Sequence, residues 1–241
     1  MINIEFTPEK DGIVAGEENT FEVLLRASSD LMRPTVSDKK LPLNLALVLD
    51  RSGSMQGRPL EEAKKCAAML VDRMGEDDML SVTTYDSRVD VIIPTTKVVD
   101  KNFLKNTINQ INPGGTTALY DGWSIGAEQV AEFADNNSLS RVLLLSDGQA
   151  NSGLTDEETI TSHCGTMAEN GVTTSTYGLG PRFNENLMSA MATAGQGQSH
   201  YGQTADDLMD PFSEEFDLME AIIARRMRLQ VLPEIDVSFE L

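Results

Sequence analysis

Two kinds of hydrophobic pattern divide the 241 residues. Near the start, Ile2, Ile4 and Phe6 occupy alternate positions, residues 9–12 (EKDG) supply a turn, and residues 20–28 (TFEVLLRAS) form a second β-prone run. A period of two broken by a turn predicts a pair of antiparallel strands. Residues 28–42 are polar and contain Pro34 and Pro42, which predicts a linker. From Leu43 the alternation disappears. The run LNLALVLD at 43–50 is nearly all apolar, as expected of a strand in a parallel sheet covered on both faces.

Behind that strand, Pro59 suits the first turn of a helix, and Leu60, Ala63, Ala67, Leu70, Val71 and Met74 fall on one face of it. Residues 79–86 and 88–94 predict two strands joined by a tight turn around Ser87, followed by a helix near 101–110. A glycine-rich loop (INPGGTTALYDG) then leads into a helix over about 119–134, and 140–148 (SRVLLLSDG) predicts another buried strand. Thr155 with Glu158 fits a capping box for the next helix. A strand at 171–180, a helix from Asn184, a short strand near 199–203 and a long acidic helix over 205–226, interrupted at Pro211, complete the alternation. The tail returns to β character, with Ile235, Val237 and Phe239 alternating. The expected organisation is therefore 1–41 as N-terminal strands and linker, 42–224 as an α/β domain with a doubly wound, mostly parallel sheet flanked by helices, and 225–241 as a β segment packing with the N-terminal strands.

At this length about 70% of the unfolded chain's surface can be buried, so a substantial core is available. Only 5% of residues are aromatic, which leaves that core to aliphatic side chains and methionine. Lys and Arg number 19 against 38 Asp and Glu, a net charge of −19 that repels nucleic-acid phosphates and anionic membrane surfaces. With no leader-like start and no run of roughly 18 apolar residues, the sequence reads as a cytoplasmic protein. Cys66 and Cys164 lie in predicted helices without the spacing of a thiolate metal site and read as buried, reduced thiols. His163 and His200 have no neighbours that would make them ligands or bases and read as structural.

In an open parallel sheet, ligands bind beyond the carboxyl ends of the strands. Three such loops carry polar groups: Asp50-Arg51-Ser52-Gly53-Ser54, Gly114-Gly115-Thr116-Thr117, and Ser146-Asp147-Gly148. All the candidate donors are hard oxygens, which suits Mg²⁺, Mn²⁺ or Ca²⁺ better than zinc. The one-residue gaps in Asp-x-Ser-x-Ser let one tight loop turn three side chains toward a single point, with Gly53 adding backbone freedom. Neutral hydroxyls leave the ion's charge less compensated than a cage of carboxylates would, so it keeps an appetite for an anionic ligand.

Asp50-x-Ser52-x-Ser54, Thr117 after a glycine pair, and Asp147-Gly148 after an apolar strand resemble, in order and spacing, the metal-ion-dependent adhesion site of von Willebrand factor type A domains of the bacterial, intracellular kind. The resemblance covers about residues 42–220. It implies a Rossmann-like sheet with one divalent ion at its upper edge. It further implies Ser52 and Ser54 as direct ligands, Thr117 as a direct or state-dependent one, and Asp50 and Asp147 binding directly or through water. Thr116 remains the alternative to Thr117, which is preferred because it stands four residues before Asp121. The same resemblance implies a partner protein that supplies a Glu or Asp to the ion, and, by analogy with relatives of similar build, an AAA+ ATPase or a multi-domain assembly as its setting.

Enzymatic readings fare worse. A phosphoaspartyl enzyme needs a second carboxylate where Ser52 stands, and the nucleophile-elbow pattern G-x-S-x-G fails because Ser54 follows Gly53 directly. The phosphate-loop pattern is absent, and Gly178-x-Gly180 lacks the third glycine of a dinucleotide site. A non-enzymatic, metal-dependent binding module is expected. A metal-assisted hydrolase at the same site and a scaffold with a purely structural ion are the alternatives.

Overall fold

A computed structural model describes residues 2–10, 22–29, 41–135, 138–147, 150–179, 184–220 and 222. The chain divides into two units, Met1–Lys40 and Leu41–Leu241. In the first, β1 (Ile2–Pro8) and β2 (Val23–Ser29) pair antiparallel, with Ile4 opposite Ala27 and Phe6 opposite Leu25. The expected β segment at 225–241 and most of the expected linker lie outside the described residues.

The second unit is built on a six-stranded sheet. In chain order its strands are β3 (Leu43–Asp50), β4 (Met79–Tyr85), β5 (Val89–Lys97), β6 (Leu139–Ser146), β7 (Val172–Leu179) and β8 (Gln196–Gly202). In space they run β5-β4-β3-β6-β7-β8, all parallel except β5, which turns back on β4 as a hairpin. The helices are α1 (Arg58–Arg73), α2 (Lys101–Asn109), α3 (Leu119–Ala131), α4 (Glu157–Glu169), α5 (Glu185–Ala194) and α6 (Ala205–Glu220). The fold is thus the mixed, mostly parallel α/β sandwich expected, with a small antiparallel sheet from the N-terminal strands.

β3 lies at the centre, with neither face turned to solvent. All eight of its residues are buried, Leu43, Leu45, Leu47 and Leu49 against the α1, α2 and α6 layer, Ala46 and Val48 against α3. On that second side α3 approaches unusually close. A Cβ added at Gly126 would lie 2.2 Å from Val48 Cγ2. From β3 the chain proceeds outward to β4 and β5, then crosses back to β6 on the other side. The loops leaving β3 and β6 therefore diverge, opening the crevice where α/β sheets bind ligands.

Three local expectations are corrected. Thr155 is not the cap of α4; Asp156 is, its carboxylate accepting the Thr159 amide at 2.9 Å. Pro211 does not interrupt α6, which runs through it. Leu208, Phe212, Phe216 and Met219 are all buried at helical spacing, and that burial outweighs the missing amide. The last short strand is also longer than expected, beginning at Gln196, which takes a positive φ of 54°. Among the described residues, no helix is long and apolar enough to cross a membrane.

Candidate metal centre

Each sequence-predicted donor sits where a strand or helix ends at the upper edge of the sheet. Asp50 is the last residue of β3 and is fully buried. Its Oδ1 accepts the Ser52 amide at 2.8 Å, folding the chain back over the strand end, and Oδ2 accepts Ser146 Oγ at 2.6 Å from the end of β6. Tyr85 at the end of β4 donates its hydroxyl to the same Oδ2 at 3.4 Å. A single turn of 3₁₀ helix over Gly53–Met55 follows and drives Met55 into the core. The turn brings Ser52 Oγ and Ser54 Oγ to 3.1 Å from each other.

The glycine pair is laid directly against this loop. Gly114 donates its amide to the Arg51 carbonyl at 2.6 Å, and Gly53 donates to the Gly115 carbonyl at 2.8 Å. Thr117, one residue before the cap of α3, is 1% exposed, whereas Thr116 faces solvent. Its backbone is gripped on both sides: the amide donates to Asn151 Oδ1 at 2.8 Å, and the carbonyl accepts the amides of Asn151 and Ser152 at 3.2 and 3.1 Å. Asp147 is buried just beyond β6, and its carbonyl accepts the Asn184 amide at 3.0 Å.

The cluster gathers buried negative charge. Burial pushes the Asp50 carboxyl up to about 6, against the pull of hydrogen bonds from Ser146 and Ser52, and the nearby negative charge of Asp147 adds to the rise. Among the described residues, the partners of Asp50 are hydroxyls and an amide, none positively charged. A divalent ion would supply the positive charge that these partners of Asp50 do not. Two ligands at right angles on an octahedral Mg²⁺ at about 2.1 Å lie about 3.0 Å apart, the spacing that Ser52 and Ser54 already have. No group of three or more His, Cys, Asp or Glu side chains is arranged for a metal among the described residues, so this site depends on hydroxyls.

Sequence reasoning missed the supports. Tyr85, Asp86 and Asn151 are not in the motif, although all three hold it, and Asp86 and Asn151 lie in polar turns that look like any others. The side chain of Arg51, inside the Asp-x-Ser-x-Ser loop, pairs with Asp86 and Asp90 at 3.3 and 2.7 Å. Both histidines have aromatic partners: His163 Nδ1 pairs with Tyr120 Oη at 2.8 Å, and His200 stacks on Tyr177 with ring centroids 5.2 Å apart.

The model of the von Willebrand factor type A domain matches residues 44–214. An uncharacterised protein of Synechocystis, sll0103, is 34% identical over 186 residues, which make up 77% of this chain and 43% of that protein. The chain spans less than half the length of this and the next curated relative it matches, YfbK of Escherichia coli. Among solved structures, a von Willebrand factor type A protein from Catenulispora acidiphila aligns with a TM-score of 0.64 at 17% identity, covering 80% of this chain and 43% of that one. Proximal thread matrix protein 1 of the mussel byssus, described with a zinc-occupied MIDAS motif, aligns at 0.62 and 20% identity, covering 74% and 48%.

Proposed function

The chain belongs to the von Willebrand factor type A domain family, and from that premise we propose that it is a divalent-metal-dependent protein-interaction module rather than an enzyme. Asp50, Ser52, Ser54, Thr117 and Asp147 hold the ion, Mg²⁺ by preference with Mn²⁺ or Ca²⁺ as substitutes, and a Glu or Asp of the partner completes its coordination. The observation that carries this reading is the meeting of three loop ends around a buried, unneutralised Asp50, with Ser52 and Ser54 Oγ 3.1 Å apart.

When bound, the ion supplies a positive charge that a carboxylate can reach directly. The chain's own residues do the rest. Ser52, Ser54 and Thr117 offer neutral oxygens that leave the charge incompletely compensated, while the buried carboxylates of Asp50 and Asp147 secure the cation. A partner carboxylate that sheds its water there is repaid by the low dielectric and by the fit of the rim. All-oxygen ligation disfavours zinc relative to sites with His or Cys. Even so, the zinc described for the mussel relative makes it a necessary control. By analogy of build, the partner belongs to an AAA+ ATPase or a multi-domain assembly.

Calorimetric titration with Mg²⁺, Mn²⁺, Ca²⁺ and Zn²⁺ tests the site, and capture of an acidic partner with and without EDTA tests its use. Ser54→Ala and Thr117→Ala are expected to weaken Mg²⁺ uptake at least 10-fold while leaving the fold intact. Capture insensitive to EDTA overturns the metal-bridged interaction. Metal-dependent hydrolysis that disappears in Asp50→Ala favours the hydrolase instead.

A further inference from the structure

We infer that Asp86, which is outside the ligand set, is the positioning residue that fixes the glycine loop against the Asp-x-Ser-x-Ser loop and so sets the spacing of the cation's donors. The inference rests on the metal-site reading above.

Asp86 begins the turn between β4 and β5 and is 5% exposed. Its Oδ1 accepts the Arg88 amide at 2.8 Å and Ser87 Oγ at 3.3 Å, which hold the carboxylate in the turn. Its Oδ2 faces the other way, taking the Gly115 amide at 3.4 Å and Arg51 Nη2 at 3.3 Å. One carboxylate oxygen therefore touches both ligand-bearing loops at once. Its backbone extends the grip, because the Asp86 carbonyl accepts the Ala118 amide at 2.9 Å, one residue beyond Thr117.

The glycines are explained by the same contact. A Cβ built on Gly114 would lie 1.7 Å from Asp86 Oδ2, and one on Gly115 would lie 3.2 Å from Ser87 Oγ. Gly114 takes no positive φ and is open to solvent, so neither backbone strain nor burial in the core demands a glycine there. What demands it is the closeness of the acid. Arg51 closes the circuit: its side chain pairs with Asp86 and Asp90, its amide donates to the Tyr85 carbonyl at 2.9 Å, and its carbonyl takes the Gly114 amide. Removing the carboxylate frees the loop bearing Thr117 without touching a donor atom.

The signature of positioning is ion selectivity. Mg²⁺ requires near-ideal octahedral placement, whereas Ca²⁺ tolerates irregular ligands. In Asp86→Asn, Mg²⁺ affinity measured by calorimetry is expected to fall 10-fold or more, as for other residues that orient ligands, and Ca²⁺ affinity to fall several-fold less. Gly114→Ala, which pushes on the same carboxylate from the opposite side, reproduces this selective loss, and in an Asp86→Ala background it adds less, because the contacts at 1.7 and 2.6 Å are gone and only the 2.9 Å approach to the Asp86 Cβ remains. Circular dichroism at the titration temperature establishes that each protein is folded, and Gly114→Ala decides alone where an Asp86 variant is not. Wild-type Mg²⁺ affinity in folded Asp86→Asn or Gly114→Ala, with Ser54→Ala defective, overturns the inference and leaves the metal site standing. Equal losses for both ions also overturn it, since they mark a general loosening. If the wild-type chain takes up neither ion, the metal-site reading fails and the inference falls with it.

Discussion

The strongest test of how this domain is held together is the replacement of Glu215, an acid buried in α6. It is 2% exposed and receives hydrogen bonds from Arg141 on β6 and from Ser175 and Tyr177 on β7. His200 Nε2 stands 3.7 Å away. Glu215→Leu keeps most of the volume and removes every acceptor. Ser175 retains the amide of Gln198, donated to its Oγ at 3.1 Å, but the fully buried Tyr177 hydroxyl loses its partner, at about 1–3 kcal/mol. Arg141 is the larger loss, since breaking a buried pair costs about 3–5 kcal/mol. Two features reduce that figure: Arg141 keeps Thr173 Oγ1 at 2.8 Å, and its side chain is 14% exposed, so water reaches it. The expected net cost at pH 7 is about 3 kcal/mol, a fall in Tm of about 6–12 °C for a domain of this size. Glu215→Gln, which retains one acceptor, is expected to cost about half as much. The pH dependence has a definite sign. Burial raises the Glu215 carboxyl, but the neighbouring His200, Arg141, Ser175 and Tyr177 outweigh it and hold the group below its ordinary 4.5. A lowered acid stabilises the fold above its unfolded value and loses that contribution as pH falls through the folded one. The gap between wild type and Glu215→Leu should therefore be constant from pH 7 to about 5 and narrow below about 4.5. Urea unfolding in EDTA, followed by the fluorescence of Trp123, the chain's one tryptophan and a buried part of α3, measures it. A cost under about 1 kcal/mol, or a gap that widens in acid, refutes this account of the network.

Two further outcomes follow from packing and burial. Gly126→Ala gains about 1 kcal/mol of helix propensity but drives a methyl to 2.2 Å from the stiff Val48 side chain, an overpacking cost of about 1–3 kcal/mol. A net loss is expected in the wild-type background and a net gain in Val48→Ala, read by thermal unfolding; a gain in both backgrounds refutes the close approach of α3. Burial, joined by Glu62 at Cys66, pushes both thiols up to about 12, so neither is a thiolate at neutral pH. Both are expected to resist a disulfide reagent at pH 8 until urea unfolds the domain, and rapid modification of the native protein contradicts that.

The central strands were legible in the sequence because they turn no face to solvent and are largely apolar: 43–50 and 140–146 read directly as buried strands. The candidate donors were placed in a different way: Asp50, Ser52, Ser54 and Asp147 stand at or just beyond the ends of those strands, whereas Thr117 stands just before α3 and was placed by the glycine pair and the helix that follows. Elements with weaker apolar signatures were read less well. β8 is an edge strand of sequence QGQSHYG, and only its second half looked like one. Glu215 was invisible among the acids of α6, yet helical spacing contained the signal, since it stands three residues after Phe212 and four before Met219, both buried. Asp86 left no such trace. Its role comes from three turns meeting in space, which no local period encodes.

The buried acids together argue for the cation more strongly than the motif does. Glu62 faces Arg58 and Lys65, Asp86 faces Arg51, and Glu215 faces Arg141, so this acidic chain places a basic side chain beside each. Asp78 is satisfied differently, by the amides of Leu43 and Gly75 at 2.8 and 2.7 Å. Among the described residues, Asp50 breaks the pattern. It has as much burial as any of them, a second buried acid near enough to raise its carboxyl further, and an arginine next in sequence whose side chain is committed elsewhere. Burying an acid without a counter-charge costs several kcal/mol, and a short turn of Arg51 could have avoided that cost. The guanidinium is instead held by Asp86 and Asp90, which leaves that positive charge to the cation proposed for this site.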